Sequence, residues 1–237
     1  MNRQDLLDVS QSTDKAVLHA RLVGVAQSLG FPYLSATLVL EQPGAPAITV
    51  SVDQTPEAYL EIQKDASKGR RDPVLQRLKR ATTPIVYDQA FYAEAGAGEL
   101  WEEQARYGYR NGVAMALHLP GGRHFLLGVD RNEHLPRNEK TLTRLLADLQ
   151  LLAVHTQEAA VRLLLDEAMA SGDIPSLTSR ELEVLRWTMV GKDTWSVAQI
   201  LQITESTANF HLRNAERKLG VSTKLQAVVR AMGLGLL

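Results

Sequence analysis

The sequence predicts an α+β protein in two parts. An N-terminal α-β-α sandwich with an antiparallel sheet and a ligand cavity precedes an all-α module built on a helix-turn-helix. Three observations carry this. Residues 1–138 mix a helical period with runs of strand character. Residues 139–169 form one long helical pattern. Residues 177–237 hold only helical periods, with two short helices joined by a tight turn.

Thr13 to Leu29 is amphipathic, and Gly30-Phe31-Pro32 ends it. Tyr33 to Leu40 and Ala47 to Val52 have strand character. Asp72-Pro73-Val74-Leu75 reads as a helix start, with Asp at the cap and Pro at the first position. Gly96-Ala97-Gly98 lacks the third glycine of a dinucleotide loop and follows no strand, so it reads as a connection. Gly112 to Pro120, Gly121-Gly122 and His124 to Asp130 read as a β-hairpin. His118 and His124 flank that turn and can face one another; with no third ligand in view, no metal site is expected.

From Glu139 to Met169, Leu142, Leu145, Leu146, Leu149, Leu152, Ala153, Ala160, Leu163 and Leu164 recur at three and four. So long a helix is expected to pack on the sheet and continue toward a partner; a single long core helix is the alternative. Ala168 to Ser176, with small residues, Gly and Pro, reads as a linker. The expected division is therefore 1–167, a linker at 168–176, and 177–237. Trp101 and Trp187 are expected in the core, and Trp195 is expected to reach outward.

Composition bounds the chemistry. There is no Cys, which excludes disulfides, thiolate zinc sites and Cys nucleophiles and suits a reducing cytoplasm. No signal core opens the chain and no stretch of eighteen apolar residues exists, so a soluble cytoplasmic protein is expected. The net charge of −1 hides a split. Residues 177–237 hold eight Lys and Arg against five acids, leaving a weakly basic module on an acidic body. A module so weakly charged favours two copies on DNA.

On a 3.6-residue wheel, Ala208, Leu212, Ala215 and Leu219 fall in one stripe. Ser206, Asn209, Phe210, Arg213 and Arg217 fall opposite. Trp195 to Leu201 supplies the helix before it, Gln202-Ile203-Thr204 the turn, and Thr204 or Ser206 the cap. The outward groups suit base edges and phosphates; an ordinary helical hairpin with a wet polar face is the plainer alternative. Arg213 and Asn209, mid-helix, are expected to read bases. Lys192, Thr194, Arg217 and Lys224, at helix ends or edges, are expected to meet the DNA backbone, as is His211. Ser206, Thr207 and Phe210 complete the expected DNA-binding set.

Leu177-Thr178, Arg180-Glu181, Glu183-Val184-Leu185, Gly191-Lys192, Ala198, Ile200-Leu201, Ser206-Thr207, His211, Lys218-Leu219, Gln226-Ala227 and Gly233 carry a resemblance. On them, residues 177–237 resemble the DNA-binding domain of LuxR-type quorum-sensing transcription factors. Ala208 stands where the family usually has Val, and Val197 where it often has Ile; neither touches the outward face. Thr55 to Tyr59, Asp72 to Val74 and Pro84 to Tyr87 resemble the same family's signal-binding domain.

That resemblance implies an N-acyl-homoserine lactone or a related small apolar signal as ligand. It implies that Asp72 accepts the amide N–H, where capping alone is the alternative. Tyr59 stands where the family has a lactone-binding Trp, and Tyr87 where it has another Trp. Gly112 matches the glycine ahead of the hairpin strand. Gln63 replaces a Tyr, and Leu126 a Ser or Thr hydroxyl. The expected ligand-binding set is Tyr59, Gln63, Asp72, Tyr87 and Leu126, and the altered positions point to a changed ligand or none.

The implied partners are double-stranded DNA, the autoinducer, a second copy of the chain and RNA polymerase, with no membrane. No cofactor, metal ligand or catalytic residue is expected. A phosphorylation-driven response regulator needs an acidic pair after a first strand, which Leu6-Leu7-Asp8-Val9-Ser10 does not supply. An enzyme with an accessory DNA module, such as a lactone hydrolase, lacks a catalytic constellation.

Overall fold

The computed structural model describes residues 1–42, 45–56, 59, 66–172 and 174–237. They divide into two compact units. One comprises Met1–Leu38, Val50–His118 and His124–Leu164; the other comprises Val39–Thr49, Leu119–Arg123 and Leu165–Leu237.

The chain opens on a helix that the sequence reading did not assign, α1 (Arg3–Ser10). Asn2 and Asp5 form a reciprocal capping box, satisfying two amides that the first turn leaves open. Leu6 and Val9 are its buried face. Asp14 then caps α2 (Lys15–Ser28), accepting from the Val17 amide at 2.9 Å. The strands are β1 (Tyr33–Gln42), β2 (Ala45–Gln54), β3 (Ile85–Tyr87), β4 (Asn111–Leu119) and β5 (Arg123–Arg131). They form one antiparallel five-stranded sheet in the order β2-β1-β5-β4-β3. The hairpin turn uses Gly121 and Gly122 at φ 79° and 72°, a region that favours glycine.

Between β2 and β4 lie α3 (Ala66–Arg71), α4 (Pro73–Leu78), α5 (Gln89–Glu94) and α6 (Gly98–Ala105). Gly96-Ala97-Gly98 is the junction of α5 and α6, with Ala97 at the N-cap of α6. On β5 the period of two is plain. Phe125, Leu127 and Val129 are nearly or fully buried, while Leu126, Gly128 and Asp130 take the alternate positions. A second cluster packs Val74, Leu78, Ile85, Tyr87, Tyr92 and Ala114, with Trp101 and Leu126 against it.

Register places Tyr87 opposite Gly112. A Cβ added at Gly112 would lie 2.3 Å from Tyr87 Cζ, so the glycine is the space that the tyrosine ring uses.

The long helix α7 runs Glu139–Ala170 and buries Leu149, Leu152, Ala153, Ala160 and Leu164. Its last three residues enter the stretch read as a linker, where Ile174 is also buried. The C-terminal helices are α8 (Ser179–Met189), α9 (Thr194–Leu201), α10 (Glu205–Leu219) and α11 (Lys224–Gly233).

One expectation fails there. Trp187 is 36% exposed on α8, because the buried stripe of that helix runs through Glu181, Val184 and Leu185. Trp101 is half-buried and donates its indole N–H to the Arg110 carbonyl at 3.0 Å. Trp195 is 59% exposed, as read.

Candidate ligand cavity and nucleic-acid interface

A cavity of about 170 Å³ opens inside the N-terminal unit. Its walls come from every strand except β2, and from α4, α5 and α6. Four of the residues singled out in the sequence meet there: Tyr59, Asp72, Tyr87 and Leu126. The fifth, Gln63, lies outside the described residues.

Asp72 is positioned by the start of α4. Its Oδ1 accepts the amides of Val74 and Leu75, at 2.8 and 3.1 Å, and Pro73 occupies the position where no amide is needed. Its Oδ2 is left for other partners and accepts the Tyr92 hydroxyl at 3.1 Å. Burial raises the carboxyl above its usual range, and the Leu75 amide, the Tyr92 hydroxyl and the Val74 amide oppose that rise. Capping and facing the cavity are thus divided between two oxygens of one side chain.

Tyr59 stacks on Tyr109 at 4.4 Å between centroids, and Tyr109 stacks on Tyr33 at 4.7 Å, giving an aromatic wall. The Tyr59 hydroxyl donates to Gln104 Oε1 at 3.4 Å. Burial, then the Asp130 charge, raises the Tyr59 phenol, so it stays protonated and a donor. Tyr87 and Tyr92 meet edge to face at 6.2 Å.

The sequence reading missed Asp130. It lines the same cavity, is 8% exposed, and accepts the Tyr87 hydroxyl at 2.8 Å. Burial pushes its carboxyl up to about 7; the Tyr87 hydrogen bond opposes this and Asp72 adds to it. The signal that would have found it is parity: on a strand, residue 130 shares a face with the flagged Leu126. Gln104 was also missed, and its Nε2 is buried with no acceptor.

The His118 and His124 rings do face one another, with Nδ1 atoms 2.8 Å apart. Among the described residues no group of three or more His, Asp and Glu side chains is placed to hold a metal ion.

In the C-terminal unit, Thr178 and Glu181 cap α8 reciprocally. Burial would raise Glu181, but Lys218 and the Thr178 amide outweigh it and hold the carboxylate low. The 2.8 Å Lys218–Glu181 contact ties α10 to α8. Gln202 closes α9 in the left-handed region at φ 54°. Thr204 then caps α10, accepting from the Thr207 amide at 3.1 Å. The turn is therefore short and fixed at both ends.

Ala208, Leu212, Ala215 and Leu219 are the buried stripe of α10. Ser206, Phe210, Arg213 and Arg217 are exposed, and Thr207 and Asn209 half-buried. The Thr207 hydroxyl is engaged with Thr204 Oγ1 at 2.8 Å, and Arg217 donates to Asn214 Oδ1 at 3.1 Å. Lys192 and Lys224 are exposed and Thr194 half-buried. The Asp193 carboxyl is held low by Ser196 first, then by Lys224 and Lys192, which puts both lysines at the N-terminus of α9.

A buried polar cavity on a sheet, followed by a capped helix-turn-helix with a polar outward face, defines a ligand-responsive DNA-binding regulator. Residues 14–160 match the family described as autoinducer binding domain, and residues 175–231 match that described as bacterial regulatory proteins, luxR family. The chain belongs to the LuxR family of quorum-sensing transcriptional regulators.

The transcriptional activator protein AnoR of Acinetobacter nosocomialis is 28% identical over 236 residues, covering 100% of this chain and 93% of that one. The regulatory protein SdiA of Escherichia coli is 29% identical over 215 residues, covering 90% and 86%. The crystal structure of Escherichia coli SdiA superposes with a TM-score of 0.78 at 28% identity, covering 99% of this chain and 96% of that one. SdiA in complex with octanoyl-rac-glycerol superposes at 0.77 with 28% identity, covering 99% and 94%.

Proposed function

We propose that this regulator responds to a small molecule held by Tyr59, Asp72, Tyr87 and Leu126, with Gln63 as a further contact, and that this molecule is not the ordinary acyl-homoserine lactone. The observation that carries the reading is the division of labour at Asp72. Oδ1 alone serves the helix amides, and Oδ2 remains on the cavity side with Tyr92. A capping residue needs only the first oxygen.

The changed ligand is supported by the replaced positions and by the cavity's polarity. SdiA with octanoyl-rac-glycerol is a relative holding an acyl chain on a head that is not a lactone.

Binding is read into DNA through α10. Arg213 and Asn209 read base edges. Lys192, Thr194, Arg217 and Lys224 hold the backbone, and Ser206, Thr207 and Phe210 flank them. Two copies bind together: Ala147, Leu151 and Val154 form an exposed apolar stripe on α7, and Leu225, Val229 and Met232 another on α11. The regulator works in the cytoplasm, meets RNA polymerase at the promoter, and catalyses no reaction. The functional division is 1–167, 168–176 and 177–237.

The test is Asp72→Asn. Asn caps a helix nearly as well as Asp, so a cap-only role leaves ligand response unchanged. A ligand role loses a charge-assisted bond, about twice as strong as a neutral one. Melting shifts with a panel of acyl, aryl and non-lactone compounds should shrink in the variant. Tight saturable binding of an ordinary acyl-homoserine lactone by the native chain refutes the changed ligand, and indifference of every compound to the substitution refutes the role of Asp72.

A further inference from the structure

We propose that Asp130 is a second ligand-binding carboxylate, and that the head of the signal molecule therefore carries two hydrogen-bond donors: one for Asp72 and a second, a hydroxyl or an ammonium, for Asp130. The inference rests on the reading of the cavity as the signal site.

Three features of β5 and its neighbours carry it. Asp130 is nearly buried in the cavity wall, and among the described residues its one hydrogen bond comes from Tyr87 to Oδ1. A carboxylate is an acceptor only, with about four lone-pair directions, so Oδ2 is left to a donor from elsewhere. Next, no Lys, Arg or His is among the described residues that line the cavity, and the charge that acts on Asp130 is the like charge of Asp72. Buried charges are paired or neutralised, and the cavity itself offers Asp130 no cation.

The third feature is room. Gly128 shares the cavity face with Asp130 and Leu126, and a Cβ placed there meets nothing within 4 Å. A head seated over Gly128 has Leu126 on one side and Asp130 on the other. Gln104 stands beside them on the cavity wall, near the Tyr92 hydroxyl, and its buried Nε2 can donate to a carbonyl or hydroxyl oxygen of the same head.

An N-acyl-homoserine lactone has one N–H and otherwise only acceptors. With both carboxyls ionised it satisfies Asp72 or Asp130, not both, and puts an acceptor beside the carboxylate left over. A head with a second donor satisfies both.

The experiment uses a matched set on the full-length protein: the hexanamides of aminocyclopentanol, diaminocyclopentane and aminocyclopentanone. They keep ring, amide and chain and differ only in presenting a hydroxyl, an ammonium or a carbonyl. Calorimetric titration of the native chain at pH 8.5, where Asp130 is ionised, should place the alcohol and the amine about tenfold or more tighter than the ketone. In Asp130→Asn the gap should narrow to about threefold or less, because the carboxamide can donate to the ketone. In Asp72→Asn all three should weaken together and the gap should persist.

A ketone that binds the native chain as tightly as the alcohol and amine overturns the proposal, whatever the variants do. So does a gap that survives Asp130→Asn. Either result leaves the cavity as a signal site, since compounds still bind. Failure of all three, and of every acyl, aryl and non-lactone compound of the wider panel, to bind overturns the cavity reading itself, and this inference with it.

Discussion

The outward face of α10 and the cavity each gather a handful of polar side chains, but they gather them in opposite ways. On α10, Ser206, Asn209, Phe210, Arg213 and Arg217 come from one helix, and water reaches most of them. In the cavity, Tyr59, Asp72, Tyr87, Tyr92, Gln104 and Asp130 come from six separate places in the chain and are largely withdrawn from water. Wet groups on a helix cost little to keep and change little when one is removed. Dry groups that converge from afar depend on one another: Tyr87 holds Asp130, Tyr92 holds Asp72, and Gly112 leaves the space for Tyr87. The lesson is that the two sets of side chains should respond to substitution and to pH very differently.

The largest expected effect tests the dryness of the cavity. Asp130 titrates near 7 when folded, against 3.8 for an ordinary Asp. The folded state therefore binds more protons than the unfolded state between those values, so this group's contribution to stability is fully present below about pH 4 and lost as pH rises toward 7. The loss is on the order of 4 kcal/mol for a group shifted about three units. The groups facing it, Tyr59, Tyr87, Tyr92 and Tyr109, are all raised by burial and stay protonated across that window, while Asp72 is raised in the same sense. Denaturant midpoints from pH 4 to 8 should fall less steeply in Asp130→Asn than in the native chain; parallel curves would show that the carboxyl is not held dry.

Gly112→Ala sharpens the same contrast through packing. The new methyl must displace the buried Tyr87 ring, at a cost of about 1–3 kcal/mol for overpacking. Urea unfolding measures the cost, and the ligand response should weaken along with it. Gly112 is not among the glycines at positive φ, so the cost is one of packing and not of backbone strain.

On the wet side, Arg213→Ala should cost about 1–3 kcal/mol on the specific DNA site and little on random DNA. Equal losses on both would move Arg213 from base reading to phosphate holding. The smallest effect belongs to Lys224→Ala, which should weaken binding to all sequences alike and lower the salt slope by about one unit. Both variants should leave ligand affinity unchanged, and a change in either would mean that the two regions are not built independently.

The sequence by itself determined what depends on neighbours along the chain. The stripe of Ala208, Leu212, Ala215 and Leu219, the long α7, the hairpin at Gly121-Gly122 and the Asp72-Pro73 helix start are all periodicities or local hydrogen bonds within a few residues. α1 escaped notice although its Asn2–Asp5 box is equally local, because its apolar face is only Leu6 and Val9.

Family resemblance brought Tyr59, Asp72, Tyr87 and Leu126 into view as a set, and they do line one cavity. What only the tertiary structure decided is which groups share that cavity with them. Asp130 sits 43 residues from Tyr87 in the chain, and Tyr92 sits 20 from Asp72. Parity puts Asp130 on the face of Leu126, but it does not say that Tyr87 rather than water will meet it there. Trp187 makes the same point in reverse, an indole left at the surface because its helix turns another stripe inward. Period and capping are set by backbone geometry over a turn or two, whereas burial and partnership are set by which distant segments the folded sheet brings within a few ångströms.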